Sequence, residues 1–149
     1  MQAAESPGGG AGEAAGQAEI VAAWRSAEQA FEDAALVPNP AEPALEATTV
    51  DPQLSFTQAL LGGMQASREV ARGPVDLGEP RVVASTANEA TVRSCLHDAE
   101  VVVSKTTGQP VSGIEGRVAD ELVVSLMVKT EGEWMLSDQT VREDECGTT

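Results

Sequence analysis

Tyrosine is absent from this chain, histidine occurs once, and lysine occurs only at Lys105 and Lys129. Two tryptophans and two phenylalanines make up all the aromatic residues. These gaps remove most of the side chains that acid–base, nucleophilic and metal chemistry draws on. The two cysteines form no CxxC pair and no Cys/His cluster with zinc spacing. Neither Gly-x-Ser-x-Gly nor His-Glu-x-x-His occurs. The glycine-rich run Ser6-Pro7-Gly8-Gly9-Gly10 follows no strand and lacks the Lys-Ser/Thr of a phosphate loop. Asp138, Glu143, Asp144 and Glu145 form an acidic end without EF-hand spacing, which reads as a solvated terminus. His97 and Asp98 are adjacent, but neighbours on a strand point to opposite faces, so they are poorly placed to act together. His97 is therefore expected to be exposed or packed near Cys95. No catalytic set, metal or cofactor is expected.

Positive charge is scarce too. Against 24 acidic residues stand 9 basic ones, for a net charge of −15. Nucleic-acid binding is driven by counter-ion release onto a basic surface, and no such stripe exists, so DNA, RNA and anionic lipid surfaces are disfavoured partners. Apolar runs fall far short of the ~18 residues that span a bilayer. The start Met1-Gln2-Ala3-Ala4 has neither the charged nor the apolar region of a signal peptide. Residues 1–18 are nearly all Gly, Ala, Ser, Pro, Gln and Glu and are expected to be a disordered tether. Residues 19–146 are expected to form one domain and 147–149 a tail; roughly 130 residues suffice for one modest core. Seven arginines against two lysines, with abundant Ala, Gly and Val, fit a GC-rich genome such as an actinobacterial one.

What the chain does hold is a pair of well-spaced cysteines. Cys95 lies inside an expected strand and Cys146 follows the last one. Joined, they close a loop of roughly 50 residues, and such a bridge points to an oxidising compartment.

The periodicity turns from helical to extended along the chain. Ile20, Ala23, Trp24, Ala27, Phe31, Ala34 and Ala35 share one face of a helix over Ala18–Leu36, with Arg25, Gln29, Glu32 and Asp33 opposite. After Pro38, Pro40 and Pro43 a short helix is expected around Ala41–Ala47. Asp51 and Pro52 are a good cap and first residue for a second long helix over Pro52–Arg72. Its buried face would carry Phe56, Leu60, Leu61, Met64, Ser67 and Ala71. Gly62-Gly63 within it costs roughly 1 kcal/mol per glycine against alanine and implies a close backbone approach or a kink. Strands are expected at Val75–Leu77, Arg81–Thr86, Ala90–Asp98, Glu100–Thr106, Gly116–Lys129 and Trp134–Arg142. In the long strand Val118, Leu122, Val124, Leu126 and Val128 share one face, and Trp134 and Leu136 point inward on the last strand. Helices first and an antiparallel meander after them make an α+β fold with the helices covering one face of the sheet.

Two passages carry a family resemblance. Glu131-Gly132-Glu133-Trp134 resembles the final hairpin of nuclear transport factor 2-like proteins, and the whole order of elements resembles their cone of helices on a curved antiparallel sheet. Ala22-Ala23-Trp24 in the first helix, Ala90-Thr91-Val92-Arg93-Ser94-Cys95 in a strand, and a closing cysteine resemble exported actinobacterial lipoproteins of that fold. The resemblance spans about Ala18 to Cys146. It implies a pocket between helices and sheet, for which Trp24, Phe31, Leu60, Met64, Asp120 and Trp134 are the expected lining residues. The steroid isomerases of that superfamily use a tyrosine hydroxyl, which this chain lacks.

The expected role is non-enzymatic: an extracytoplasmic cell-envelope domain, held to the membrane only through a lost N-terminal anchor, that binds an envelope protein or a small apolar ligand. The alternative is a small-molecule isomerase or cyclase using a pocket carboxylate; Asp120 is its base if it faces inward beside Val118, Leu122 and Val124, where its pKa would be raised, and is otherwise hydrated at a strand end. A monomer and a homodimer pairing through the open sheet face are both compatible with the sequence.

Overall fold

The computed structural model describes residues 11–111, 119–143 and 146. Three helices come first: α1 (Ala11–Leu36), α2 (Pro43–Thr48) and α3 (Gln53–Ala66). Seven strands follow: β1 (Glu69–Arg72), β2 (Val75–Asp76), β3 (Arg81–Ser85), β4 (Glu89–Asp98), β5 (Val101–Ser104), β6 (Ala119–Thr130) and β7 (Glu133–Glu143). The main antiparallel sheet runs β2-β4-β6-β7, with β3 pairing along the other half of β4's free edge. A separate two-stranded sheet joins β1 to β5. The α+β architecture expected from the order of periodicities is thus present.

α1 begins at Ala11, seven residues before the expected start, and takes in part of the segment expected to be a tether. Residues 11–19 are rich in Ala, Glu and Gln, which are strong helix formers, and this outweighs Gly12 and Gly16. Residues 1–10 and 147–149, expected to be tether and tail, lie outside the described residues, as do Gly116–Val118 of the expected long strand.

Two cores hang from α1. Its first half buries Ile20, Trp24 and Ala27 against Ala90, Val92 and Leu96 of β4, Val123 and Met127 of β6, and Leu136 of β7. Its second half buries Ala30, Ala34 and Ala35 against Leu45, Leu61, Met64 and Ala71. The alanines let the second half lie close to its neighbours.

The expected second helix over Pro52–Arg72 is split. α3 stops at Ala66, Arg68 takes the left-handed conformation at φ 56°, and Glu69–Arg72 becomes β1. The last turn of the expected helix instead pairs in register with β5, Val70 opposite Val103 and Ala71 opposite Val102. A partner thirty residues away satisfies that backbone, which no local period reports. The face expected to be buried also shifts: Leu61, Met64 and Thr57 are buried, whereas Phe56 and Leu60 are exposed. Nothing crowds Gly62 or Gly63, so the expected close backbone approach is absent. The Asp51 carboxylate accepts hydrogen bonds from the Ser55 amide and hydroxyl, at 2.9 and 2.6 Å.

On β6 the more apolar face is not the one in the core. Val123, Ser125 and Met127 point into the core, in register with Ser94, Val92 and Ala90 of β4. Leu122, Val124, Leu126 and Val128 lie on the outer face. The inner set was masked by Ser125, a polar residue in the middle of it. Ser125 is fully buried because its hydroxyl accepts the indole N–H of Trp24 at 2.9 Å. Leu122 is nevertheless buried, beside the Cys95–Cys146 disulfide that caps that end of the outer face.

The disulfide spans 51 positions with its Cα atoms 5.4 Å apart. A closed loop of this length stabilises by about 4 kcal/mol in the chain-entropy account. Cys146→Ala should therefore lower the melting temperature by about 10 °C under non-reducing conditions, and by nothing extra in reductant. Equal melting of both forms without reductant would remove the bridge from the stability of the fold. Ser125→Ala should cost about 1–3 kcal/mol in denaturant unfolding by leaving the Trp24 N–H unpaired in the core. A loss well under 1 kcal/mol would show that the pairing does not matter.

Candidate functional site

A cavity of about 190 Å³ opens between α1, α3 and β7. Ala27, Glu28 and Phe31 of α1 form one wall, Gln53, Phe56, Thr57 and Leu60 of α3 another, and Leu136, Gln139 and Val141 of β7 the third. Leu45 and Thr49 close the end near α2. Phe56, Leu60 and Val141 are among the few large apolar side chains left exposed, so an apolar rim surrounds the opening.

Glu28 is the one ionisable group among the described lining residues, and it is only 6 % exposed. The Gln139 amide donates to its carboxyl oxygen. Burial pushes the Glu28 pKa up to about 7, with the Gln139 hydrogen bond pulling the other way. The Gln139 amide also donates to Ser125 Oγ at 3.1 Å, and Ser125 accepts from Trp24 Nε1. A polar line therefore runs from the core indole through Ser125 and Gln139 to Glu28. It fixes the Gln139 side chain and, through it, the carboxyl at the cavity wall.

More acid lies one turn along α1. Glu32 meets Glu100 of the β4–β5 turn carboxyl to carboxyl, and Asp98 accepts the Glu100 amide at 2.8 Å. Burial, then the hydrogen bond and charge of Glu100, push Glu32 up to about 9; Glu100 is raised as well. Two carboxyls in contact share a proton because both cannot ionise there.

The six residues expected to line a pocket separate. Phe31 and Leu60 line the Glu28 cavity. Trp24 is fully buried beneath it and acts through Ser125. Met64 borders a different, shallower depression of about 400 Å³ beside Arg68, Arg72 and Lys105. Trp134 packs on the first core with Lys129 Nζ 5.7 Å from its ring centre. Asp120 is on the outer face, 59 % exposed, with its carboxylate 2.8 Å from His97 Nδ1. It is no pocket base: it lies hydrated at the start of β6, on the outer face, which is the strand-end position the sequence also allowed. His97 is exposed, as expected, and such a surface pair adds little to stability.

Glu28 and Gln139 were not singled out in the sequence. Glu28 had a signal: it lies four residues after Trp24 and three before Phe31, on the apolar stripe itself. An acid on a buried stripe is either paired or functional. Gln139 had none, since a glutamine in an alternating strand is ordinary. Among the described residues no group of three or more His, Cys, Asp or Glu is arranged to hold a metal ion, and no helix is long and apolar enough to cross a membrane.

No protein-family model and no curated protein matches the chain. Solved structures do. A ketosteroid isomerase-like protein from Erwinia carotovora atroseptica is 20% identical, with a TM-score of 0.57 over 86% of this chain and 95% of its own. The intermembrane space region of the chloroplast protein ARC6 is 11% identical, with a TM-score of 0.62 over 84% of this chain and 97% of its own. ActVI-ORFA from Streptomyces coelicolor is 16% identical, with a TM-score of 0.52 over 86% of this chain and 96% of its own. Identities this low establish shared architecture: the chain has the cone-shaped fold of ketosteroid isomerase-like and nuclear transport factor 2-like proteins.

Proposed function

We propose that this chain is an extracytoplasmic ligand-binding domain that takes one small, largely apolar molecule into the cavity between α1, α3 and β7. The observation that carries the reading is Glu28: a buried carboxyl on the wall of a small, otherwise uncharged cavity with an apolar rim. Concave apolar sites with a few placed polar groups are the usual form of small-molecule pockets. An apolar cavity of about 150 Å³ accepts benzene, so one of 190 Å³ fits a single ring with a short substituent. The disulfide supports the oxidising compartment. In this reading the domain works at the cell envelope, and attachment through an N-terminal anchor is part of the proposal. A small ligand is favoured over an envelope protein as the bound species because Phe56, Leu60 and Val141, three of the exposed large apolar residues, ring a cavity and not a flat face.

A second reading is favoured by one observation. A carboxyl that titrates near pH 7 is poised for general acid–base work. If the chain is an isomerase- or cyclase-type enzyme, Glu28, and not Asp120, is its acid or base.

Native mass spectrometry of the non-reduced protein tests the binding reading. A co-purified molecule about the size of a substituted ring is expected, and Leu60→Trp, which narrows the opening from its exposed rim, should weaken its retention while keeping the fold. Absence of a retained mass, together with no thermal stabilisation by a panel of small apolar compounds, would overturn it. The burial of Glu28 has its own signature. Its folded pKa of about 7 lies above the ordinary 4.5, so between those values the folded state holds a proton that the unfolded chain has released. Stability should fall as pH rises through that window, by about 3 kcal/mol at most from this group. Glu28→Gln should make this part of the pH profile of unfolding shallower, leaving the slope that Glu32 and Glu100 contribute; an unchanged profile would mean that Glu28 ionises normally.

A further inference from the structure

We infer that the cavity selects an organic cation: a small apolar body, ring or short chain, that carries an amine placed against Glu28. This inference rests on the ligand-binding reading above and names the class of ligand.

Charge inventory comes first. Among the described residues no lysine, arginine or histidine lines the cavity, and Glu28 is its only ionisable group. The charged groups next along α1 and across from it, Glu32, Glu100 and Asp98, are all acids, and Glu32 and Glu100 are in carboxyl-to-carboxyl contact. From β7 the facing group is Gln139, which is neutral. The guanidinium of Arg25 on α1 is turned elsewhere, toward the Gly78 carbonyl at 3.4 Å. An anionic ligand would thus enter a site holding like charge with no counter-charge among the described lining residues, the least favourable case. A neutral ligand leaves Glu28 as it is, desolvated and held by one amide. A cation completes the site, because an opposite charge in contact stabilises the ionised carboxylate, and more strongly where water is excluded.

The aromatic residues are an independent indication. The chain has two phenylalanines, and both, Phe31 and Phe56, line this cavity. The faces of aromatic rings attract ammonium groups electrostatically. A carboxylate with two rings around one small cavity is the equipment for holding an ammonium on an apolar body. The whole-protein charge of −15 would also concentrate cations near the opening.

The test uses three ligands of matched size: 2-phenylethylamine, 2-phenylethanol and phenylacetate. Binding to the full non-reduced chain is measured by calorimetry at pH 8, where Glu28 is ionised. The amine should bind at least about tenfold more tightly than the alcohol, and phenylacetate least. Lowering the pH to 5 should weaken the amine and leave the alcohol unchanged, since Glu28 is then protonated. Glu28→Gln should abolish the preference for the amine over the alcohol. If that variant does not fold, as judged by circular dichroism, the pH dependence of the unaltered chain decides the same point. Equal binding of amine and alcohol, or tightest binding of phenylacetate, would overturn the cation inference and leave the ligand-binding reading standing. No binding by any of the three at millimolar concentration would overturn both.

Discussion

The indole of Trp24 has no contact with solvent, and its N–H must find an acceptor inside the protein. It finds the hydroxyl of Ser125, in the middle of β6. Much of the architecture follows from that pairing. It sets which face of β6 points inward, since Ser125 brings Val123 and Met127 with it. It fixes α1 across β4, β6 and β7, so that the first core closes around Ile20, Trp24 and Ala27. Ser125 also accepts from Gln139, and Gln139 donates to Glu28. The same hydroxyl therefore joins the core to the wall of the cavity.

A buried carboxyl costs stability unless something offsets it. α1 places two, Glu28 and Glu32, on successive turns of its buried side. Glu32 is accommodated by sharing a proton with Glu100, which is an internal solution. Glu28 has only the Gln139 amide and an opening to the outside. That contrast is why Glu28, and not the more strongly shifted Glu32, reads as the functional group. The disulfide lies on the other side of the sheet, tying the end of the chain to β4 over Leu122. It holds the scaffold without entering the site.

Some of this was open to reading in the primary structure. The helical stripe through Trp24 and Phe31, the strands at Glu89–Asp98 and Glu133–Glu143, and the partnership of Cys95 with Cys146 all stand where the periodicity and spacing place them. Asp120 and Glu28 show the limit. The facing of Asp120 depended on β6, whose two faces both carry apolar residues, and alternation alone cannot choose between them. The inner set is the less apolar of the two, because it holds the buried serine. Phe56 and Leu60 fit a buried helical face by spacing, yet they stand exposed at the rim, because α3 buries Thr57, Leu61 and Met64 instead.

The sequence by itself determined the order of elements, the class of fold, the poverty in catalytic residues and the acidic balance, because these depend on local period and composition. Only the tertiary structure decided which face of β6 is buried, where the last turn of the expected second helix goes, and that Glu28, Gln139, Phe31 and Phe56 share a cavity. Those depend on contacts between residues as much as 111 positions apart, such as Glu28 with Gln139. Nothing in the local sequence encodes such a separation; it exists only once α1 has been laid across the sheet.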